Sequence, residues 1–205
     1  VTPRLVAITD RHVASAQTTL ERFAELGRLA RPASVVFQLR DVDLPARERF
    51  ALGRALLGIA RETRQWLVVN DRVDLAVLLG ADGVHLGESG MSTRDARRLL
   101  GARAFVTRAC HDPSRVATLD ADAVLLAPIL QSTKSLPTLG LDGLRRARAL
   151  LASASASPAL VALGGIGIAN IEACRDAGAD GVAMIRGVLA GEAIAELVRK
   201  AGISR

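Results

Sequence analysis

Short apolar runs alternate with longer amphipathic stretches along the whole chain. The runs fall near Leu5–Thr9, Ser34–Leu39, Trp66–Asn70, Gly83–Leu86, Ala104–Thr107, Ala123–Leu126, Ala159–Leu163 and Gly181–Ile185. Each is rich in β-branched or leucine residues and too short for an ordinary helix, so each predicts a strand. Helical patterns follow at Leu20–Ala30, Pro45–Arg64, Val73–Leu79, Ser92–Leu100, Pro113–Leu119, Leu141–Ala152, Ile168–Ala177 and Gly187–Lys200. Pro45 suits a first helical turn and Ser92 an N-cap. Strands that alternate with helices pair in parallel, with the helices as crossovers. Eight such units close a barrel, so residues 1–205 predict an α/β chain folded as a single (β/α)8, or TIM, barrel domain. The rival, an open doubly wound sheet for dinucleotides, calls for Gly-x-Gly-x-x-Gly after the first strand, where Asp10-Arg11-His12 stands instead.

Composition narrows the function class. Half of the residues are hydrophobic, which excludes a disordered chain. The net charge of +6 invites a nucleic-acid reading, but arginines are scattered among acids and aromatics make up only 2%. A solvated arginine-rich surface is expected, with no nucleic-acid partner. No apolar run has the membrane-spanning length of about 18 residues, so no membrane partner is expected. Cys110 and Cys174 have neither metal-ligand nor disulfide-framework spacing, which fits a cytoplasmic protein. Homodimers are common among barrels, and the pattern specifies no interface.

In this fold the reactive groups lie at the C-terminal ends of the strands. The sequence turns polar or glycine-rich at those points: Thr9-Asp10-Arg11, Gln38-Leu39-Arg40, Asn70-Asp71-Arg72, His85 with Gly87, Cys110-His111, Thr133-Lys134 and Gly164-Gly165-Ile166. Alternation sends Gln38 and Arg40 to one side, as diphosphate ligands or as satisfied interior polar groups. Gly164-Gly165 before a helix reads as a phosphate cradle or as a tight turn that needs positive φ. Arg186, past the last strand, is a further phosphate contact or a surface arginine. Asn70-Asp71 offers hard oxygen ligands for Mg²⁺, or a turn. His85 reads as a buried, hydrogen-bonded histidine. Cys110 and His111 point to opposite sides of an extended segment, so they are not read as a nucleophile pair.

Read in order, these strand ends resemble the thiamine phosphate synthase and TenI family. The resemblance rests on AITDR (7–11), QLR (38–40), VNDRVDLA (69–76), GADGVHLG (80–87), Pro128-Ile129, Thr133-Lys134, ALGGI (162–166) and AGADGVA (177–183). It implies a phosphorylated small-molecule substrate: an aminopyrimidine methyl diphosphate loses diphosphate and is captured by a thiazole phosphate nitrogen. It also implies roles. Gln38 and Arg40 would hold the diphosphate, Asn70 the pyrimidine or diphosphate, and Asp71 the Mg²⁺. Thr133 and Lys134 would reach the diphosphate from their loop, with Lys134 and Arg40 as the catalytic cations. Gly164 and Gly165 would hold the thiazole phosphate.

The departures from the family pattern cluster. Gln-Leu-Arg usually continues Glu-Lys; here Asp41-Val42 follows. Gln-Glu-Asp-Met, with its metal-binding aspartate, is replaced by Glu88-Ser89-Gly90-Met91, which leaves Glu88 as the acid to reach the metal. A serine is replaced by Ala109, and another after the last strand by Arg186. Two other functions therefore stand beside the synthase: a TenI-type thiazole tautomerase, and a non-catalytic binder of a phosphorylated thiazole. The histidine tied to the tautomerase would fall near Pro128, which has no acid–base group. The expected outcome of Lys134→Ala is loss of thiamine phosphate formation with circular dichroism unchanged; undiminished turnover would remove Lys134 from the mechanism.

Overall fold

A computed structural model describes residues 2–131, 137–153, 157–191 and 193–205. Eight parallel strands form a closed barrel in sequence order. They are β1 (Leu5–Ile8), β2 (Val35–Leu39), β3 (Trp66–Asn70), β4 (Gly83–Leu86), β5 (Phe105–Cys110), β6 (Ala123–Leu126), β7 (Ala159–Leu163) and β8 (Gly181–Met184). The helices are α1 (Ala16–Leu29), α2 (Ala46–Thr63), α3 (Val73–Leu79), α4 (Thr93–Leu100), α5 (Gly140–Ala152), α6 (Ile171–Asp176), α7 (Arg186–Leu189) and α8 (Ile194–Lys200). Three helical expectations change. The first helix begins at Ala16 because the Ser15 side chain caps it, accepting from Thr18 N; its polar first turn hides that start from a hydrophobic pattern. Pro113–Thr118 and Ile168–Asn170 are 3₁₀ turns. The last predicted helix is two, parted by Gly191 at φ 97°.

Alternation along the strands makes two cores. Val6, Ile8, Val36, Val68, Phe105, Ala123, Leu125, Val161 and Ala183 form one cluster inside the barrel. Leu5, Ala7, Val35, Phe37, Leu67 and Val69 face the other way, into the larger core under the helices. Strands buried on both faces explain the near-continuous apolar runs. Among the described residues, no helix is long and apolar enough to cross a membrane.

The N-terminal rim is stapled by a repeated device. Asp82, Asp122 and Asp180 each stand just before an even-numbered strand. Their carboxylates accept the N–H of Leu67 at 2.8 Å, of Val106 at 2.7 Å and of Leu160 at 2.7 Å. Their own N–H groups donate back to the carbonyls of the same three residues. Each carboxylate also pairs with an arginine from a covering helix: Arg61, Arg97 and Arg148. Gln65 does similar work between β2 and β3, accepting from Val35 N at 3.0 Å. A charged acceptor on a strand N–H is worth roughly 1.5–3 kcal/mol. Asp82→Ala is therefore expected to cost about 2 kcal/mol in urea unfolding while leaving ligand binding at the far rim intact; a loss below about 0.5 kcal/mol would show that the staple is not holding the strands.

Candidate active site

At the C-terminal rim the inward layer divides into two chemical halves. Alternation from the inner cluster brings Gln38, Asn70, His85 and Thr107 into the barrel on β2 to β5, and Leu163 and Ile185 on the β7 and β8 side. The mouth is therefore polar on one side and apolar on the other.

On the polar side, three side chains form a directional relay. Asp71 Oδ2 accepts from Asn70 Nδ2 at 3.0 Å, and Asn70 Oδ1 accepts from Gln38 Nε2 at 3.0 Å. A carboxylate only accepts, so it fixes the Asn70 amide, which in turn fixes that of Gln38. Gln38 is 2% exposed, and its Oε1 is left buried without a hydrogen-bond partner. Buried polar atoms are nearly always satisfied, so this oxygen marks a place for a donor. Arg49 is buried on α2 and donates to the Asn70 carbonyl at 2.9 Å, which holds the end of β3. Arg40 is half-exposed, with one nitrogen 2.6 Å from Asp10 Oδ2.

The loop after β4 meets this relay. Gly87 N donates to Asp71 Oδ1 at 2.8 Å. The buried Arg108 guanidinium supports the loop from below, donating to Met91 O at 2.9 Å and Gly87 O at 3.2 Å. A Cβ at Gly90 would lie 3.2 Å from Asp71 Oδ1, so position 90 faces the carboxylate but brings no ligand. Glu88 is committed elsewhere: it accepts from His111 N and pairs with His111 Nδ1, both at 3.0 Å. Among the described residues, no three of His, Cys, Asp and Glu gather as a metal cage. The donor set suits a magnesium ion shared with ligand phosphate oxygens and water, held by Asp71, rather than one enclosed by protein.

A cavity of about 570 Å³ opens on the other side, lined by Arg40, His111, Pro128, Gln131, the 163–167 segment and the 183–187 segment. Gly164 and Gly165 have φ of 104° and 74°. A Cβ on Gly165 would lie 2.6 Å from the Gln131 Cβ, so glycine is required here by conformation and by packing. Gly164 O accepts from Leu130 and Gln131 N, tying the loop after β6 to that after β7. The N–H groups of Gly165, Ile166, Arg186 and Gly187 meet no acceptor among the described residues. Four such donors around one cavity, beside the exposed Arg186, form a place for an anion. Thr133 and Lys134 lie outside the described residues.

A family model described as thiamine monophosphate synthase matches residues 5–188. The chain belongs to the thiamine monophosphate synthase family. It is 35% identical to the thiamine-phosphate synthase of Albidiferax ferrireducens, over 92% of this chain and 85% of that one. It is also 35% identical to the one from Moorella thermoacetica, over 85% and 83%. The thiamine phosphate pyrophosphorylase of Pyrococcus furiosus superposes with a TM-score of 0.80 at 26% identity, covering 97% of this chain and 95% of that one. Membership carries the enzyme class with it, a transferase of thiamine biosynthesis.

The sequence readings of this family site fare unevenly. Gln38, Asn70 and Asp71 come together, as do Arg40, Gly164, Gly165 and Arg186 around the cavity. Arg49, Arg108 and the Glu88–His111 pair were missed. Arg49 had a signal: it falls on the apolar stripe of α2 with Leu52 and Leu56. Cys110 faces the outer core and His111 the cavity, the separation expected of them. Burial holds the Cys110 thiol above its ordinary value.

His85 is buried beneath the site, its Nδ1 2.8 Å from Thr107 Oγ1. Burial pushes it from 6.5 down to about 4, against the pull of Asp71 and with help from Arg108. The unfolded chain then binds more protons in that window. Stability is complete above pH 6.5 and is lost as pH falls through about 4, by on the order of 3 kcal/mol. Asp74, held down to about 2 by its Arg72 hydrogen bond, titrates below the window. His85→Asn is expected to flatten this limb in urea unfolding across pH; an unchanged slope would assign it to other groups.

Proposed function

We propose that the chain joins an aminopyrimidine methyl diphosphate to a thiazole phosphate, giving thiamine phosphate and diphosphate. The C–O bond breaks with its electron pair leaving on the diphosphate, and the thiazole nitrogen lone pair closes the new C–N bond on the methylene carbon. The observation that carries this reading is the two-sided mouth, with polar relay and cations on one side and an apolar wall with an N–H cradle on the other. A two-part product of that polarity fits such a mouth.

The relay gives Gln38 a different task from the diphosphate contact that the resemblance implies. Its free atom is a carbonyl oxygen, which repels an anion and accepts from the exocyclic amine of an aminopyrimidine. Arg40 keeps the diphosphate, using the nitrogens that Asp10 leaves free. Lys134 is proposed as its second cation. Magnesium on Asp71 would supply charge neutralisation to the leaving group. With position 90 empty of a carboxylate, more of that stabilisation falls to Arg40 and its neighbours. The thiazole phosphate occupies the N–H groups of Gly165, Ile166, Arg186 and Gly187, and its ring packs on Leu163 and Ile185. The tautomerase alternative needs a proton-transfer group at the place of Pro128, which has none.

The decisive assay follows thiamine phosphate with both substrates and Mg²⁺. Product formed at an enzymatic rate is expected; no product, with thiazole phosphate still bound, would leave the chain a binder. Arg186→Ala is expected to raise the KM for thiazole phosphate roughly tenfold or more and that for the pyrimidine substrate little. The reverse pattern would move Arg186 to the diphosphate.

A further inference from the structure

Two of the cradle's N–H groups are aimed by contacts made on the far side of their own peptides. A trans peptide is planar, with its C=O and N–H pointing opposite ways, so a contact that holds the carbonyl of one residue also fixes the N–H of the next. Gly164 O accepts from Leu130 N at 2.9 Å and Gln131 N at 3.2 Å, which fixes the Gly165 N–H. Gly165 O accepts from Asn170 Nδ2 at 3.1 Å, which fixes the Ile166 N–H. The loop after β6 therefore aims one donor, and a side chain aims the next. Asn170 Oδ1 is engaged as well, accepting from Gly167 N at 3.0 Å. Only one orientation of the amide offers a donor to Gly165 O and an acceptor to Gly167 N, so the network sets it. Asn170 lines the cavity together with Gly165, Ile166 and Gly167. Glycine at 165, with φ 74°, puts little restraint on this turn. Were the Gly165–Ile166 peptide to turn over, a carbonyl would take the place of the N–H and repel a phosphate.

We propose that Asn170 is a positioning residue of the phosphate cradle: its amide locks the Gly165–Ile166 peptide so that the Ile166 N–H stays a donor for the ligand, and its Oδ1 occupies the Gly167 N–H, which ends the cradle at Ile166 on this loop. Asn170 needs no contact with the ligand for this task. It acts through one peptide, so its loss removes one donor and leaves those of Gly165, Arg186 and Gly187 in place. The same two contacts also brace the 3₁₀ turn at Ile168–Asn170. A residue that only braced that turn would not act selectively on one of the two neighbouring donors. The proposal deepens the reading of the cavity as a phosphorylated-ligand site and rests on it.

Titration with inorganic phosphate, followed in the amide NMR spectrum, tests it. In the intact chain the amides of Gly165 and Ile166 are both expected to shift as phosphate binds. Asn170→Ala should weaken phosphate binding roughly tenfold, the worth of one charge-assisted hydrogen bond, with circular dichroism unchanged. At saturating phosphate its Gly165 amide should still shift as in the intact chain, while the Ile166 shift is lost. In turnover the same variant should raise the KM for thiazole phosphate and leave kcat little changed. Asn170→Asp keeps the acceptor for Gly167 N but has no hydrogen for Gly165 O. Its Gly167 amide should stay better protected from hydrogen exchange than that of Asn170→Ala, with phosphate bound no more tightly. Intact affinity and an intact Ile166 shift in Asn170→Ala overturn the proposal. So does recovered affinity in Asn170→Asp, or joint loss of the Gly165 and Ile166 shifts in Asn170→Ala; in each case the anion site stands. An intact chain in which neither amide responds to phosphate overturns it together with the phosphorylated-ligand reading.

Discussion

The barrel depends on carboxylates that bridge its strands at the rim away from the site. Asp82, Asp122 and Asp180 exchange two hydrogen bonds with Leu67, Val106 and Leu160, so each reads both the N–H and the carbonyl of one residue. Their own carbonyls reach onward: Asp82 O accepts from Phe105 N, and Asp122 O from Ala159 N. Asp82 and Asp122 thus each set the register of three strands, and Asp180 that of two. Register matters because a slip of one residue would turn the inner layer outward. Gln38, Asn70, His85 and Thr107 face the mouth together only when that register holds.

Given the register, the division of the mouth follows from strand chemistry. The polar half is a set of mutually oriented groups, with Asp71 fixing Asn70 and Asn70 fixing Gln38. Below them burial disfavours the charged form of His85, so His85 adds no positive charge to compete with ligands for Asp71. The other half uses backbone. Positive φ at Gly164 and Gly165 turns the chain away from β7 and leaves N–H groups open to the cavity. Side chains line one side and main-chain N–H groups the other, and the departures from the family pattern fall unequally between the two. Gly90 and Val42 fall on the side-chain half.

Much of this was legible in the sequence. Strands buried on both faces give apolar runs that stand out, and the expected and observed ranges of β3, β4, β6 and β7 coincide. Helix ends were less visible where a cap or glycine decides them, as at Ser15 and Gly191. Alternation placed Gln38 and Arg40 on one side, but which atom of Gln38 is free depends on a carboxylate 33 positions later in the chain. The ADG pieces at 81–83 and 179–181 were visible as motif without their task, since the strand N–H groups they serve belong to the preceding βα unit. The Glu88–His111 contact spans 23 residues and has no local signature at all.

In the proposed function, the phosphate is held by main-chain donors between β7 and β8. A crystal structure with inorganic phosphate or thiazole phosphate tests it most directly. Phosphate density is expected within hydrogen-bond distance of the N–H groups of Gly165 and Ile166 and of Arg186 or Gly187. Phosphate bound instead against Asn70 and Asp71, with those four N–H groups left to water, would contradict it.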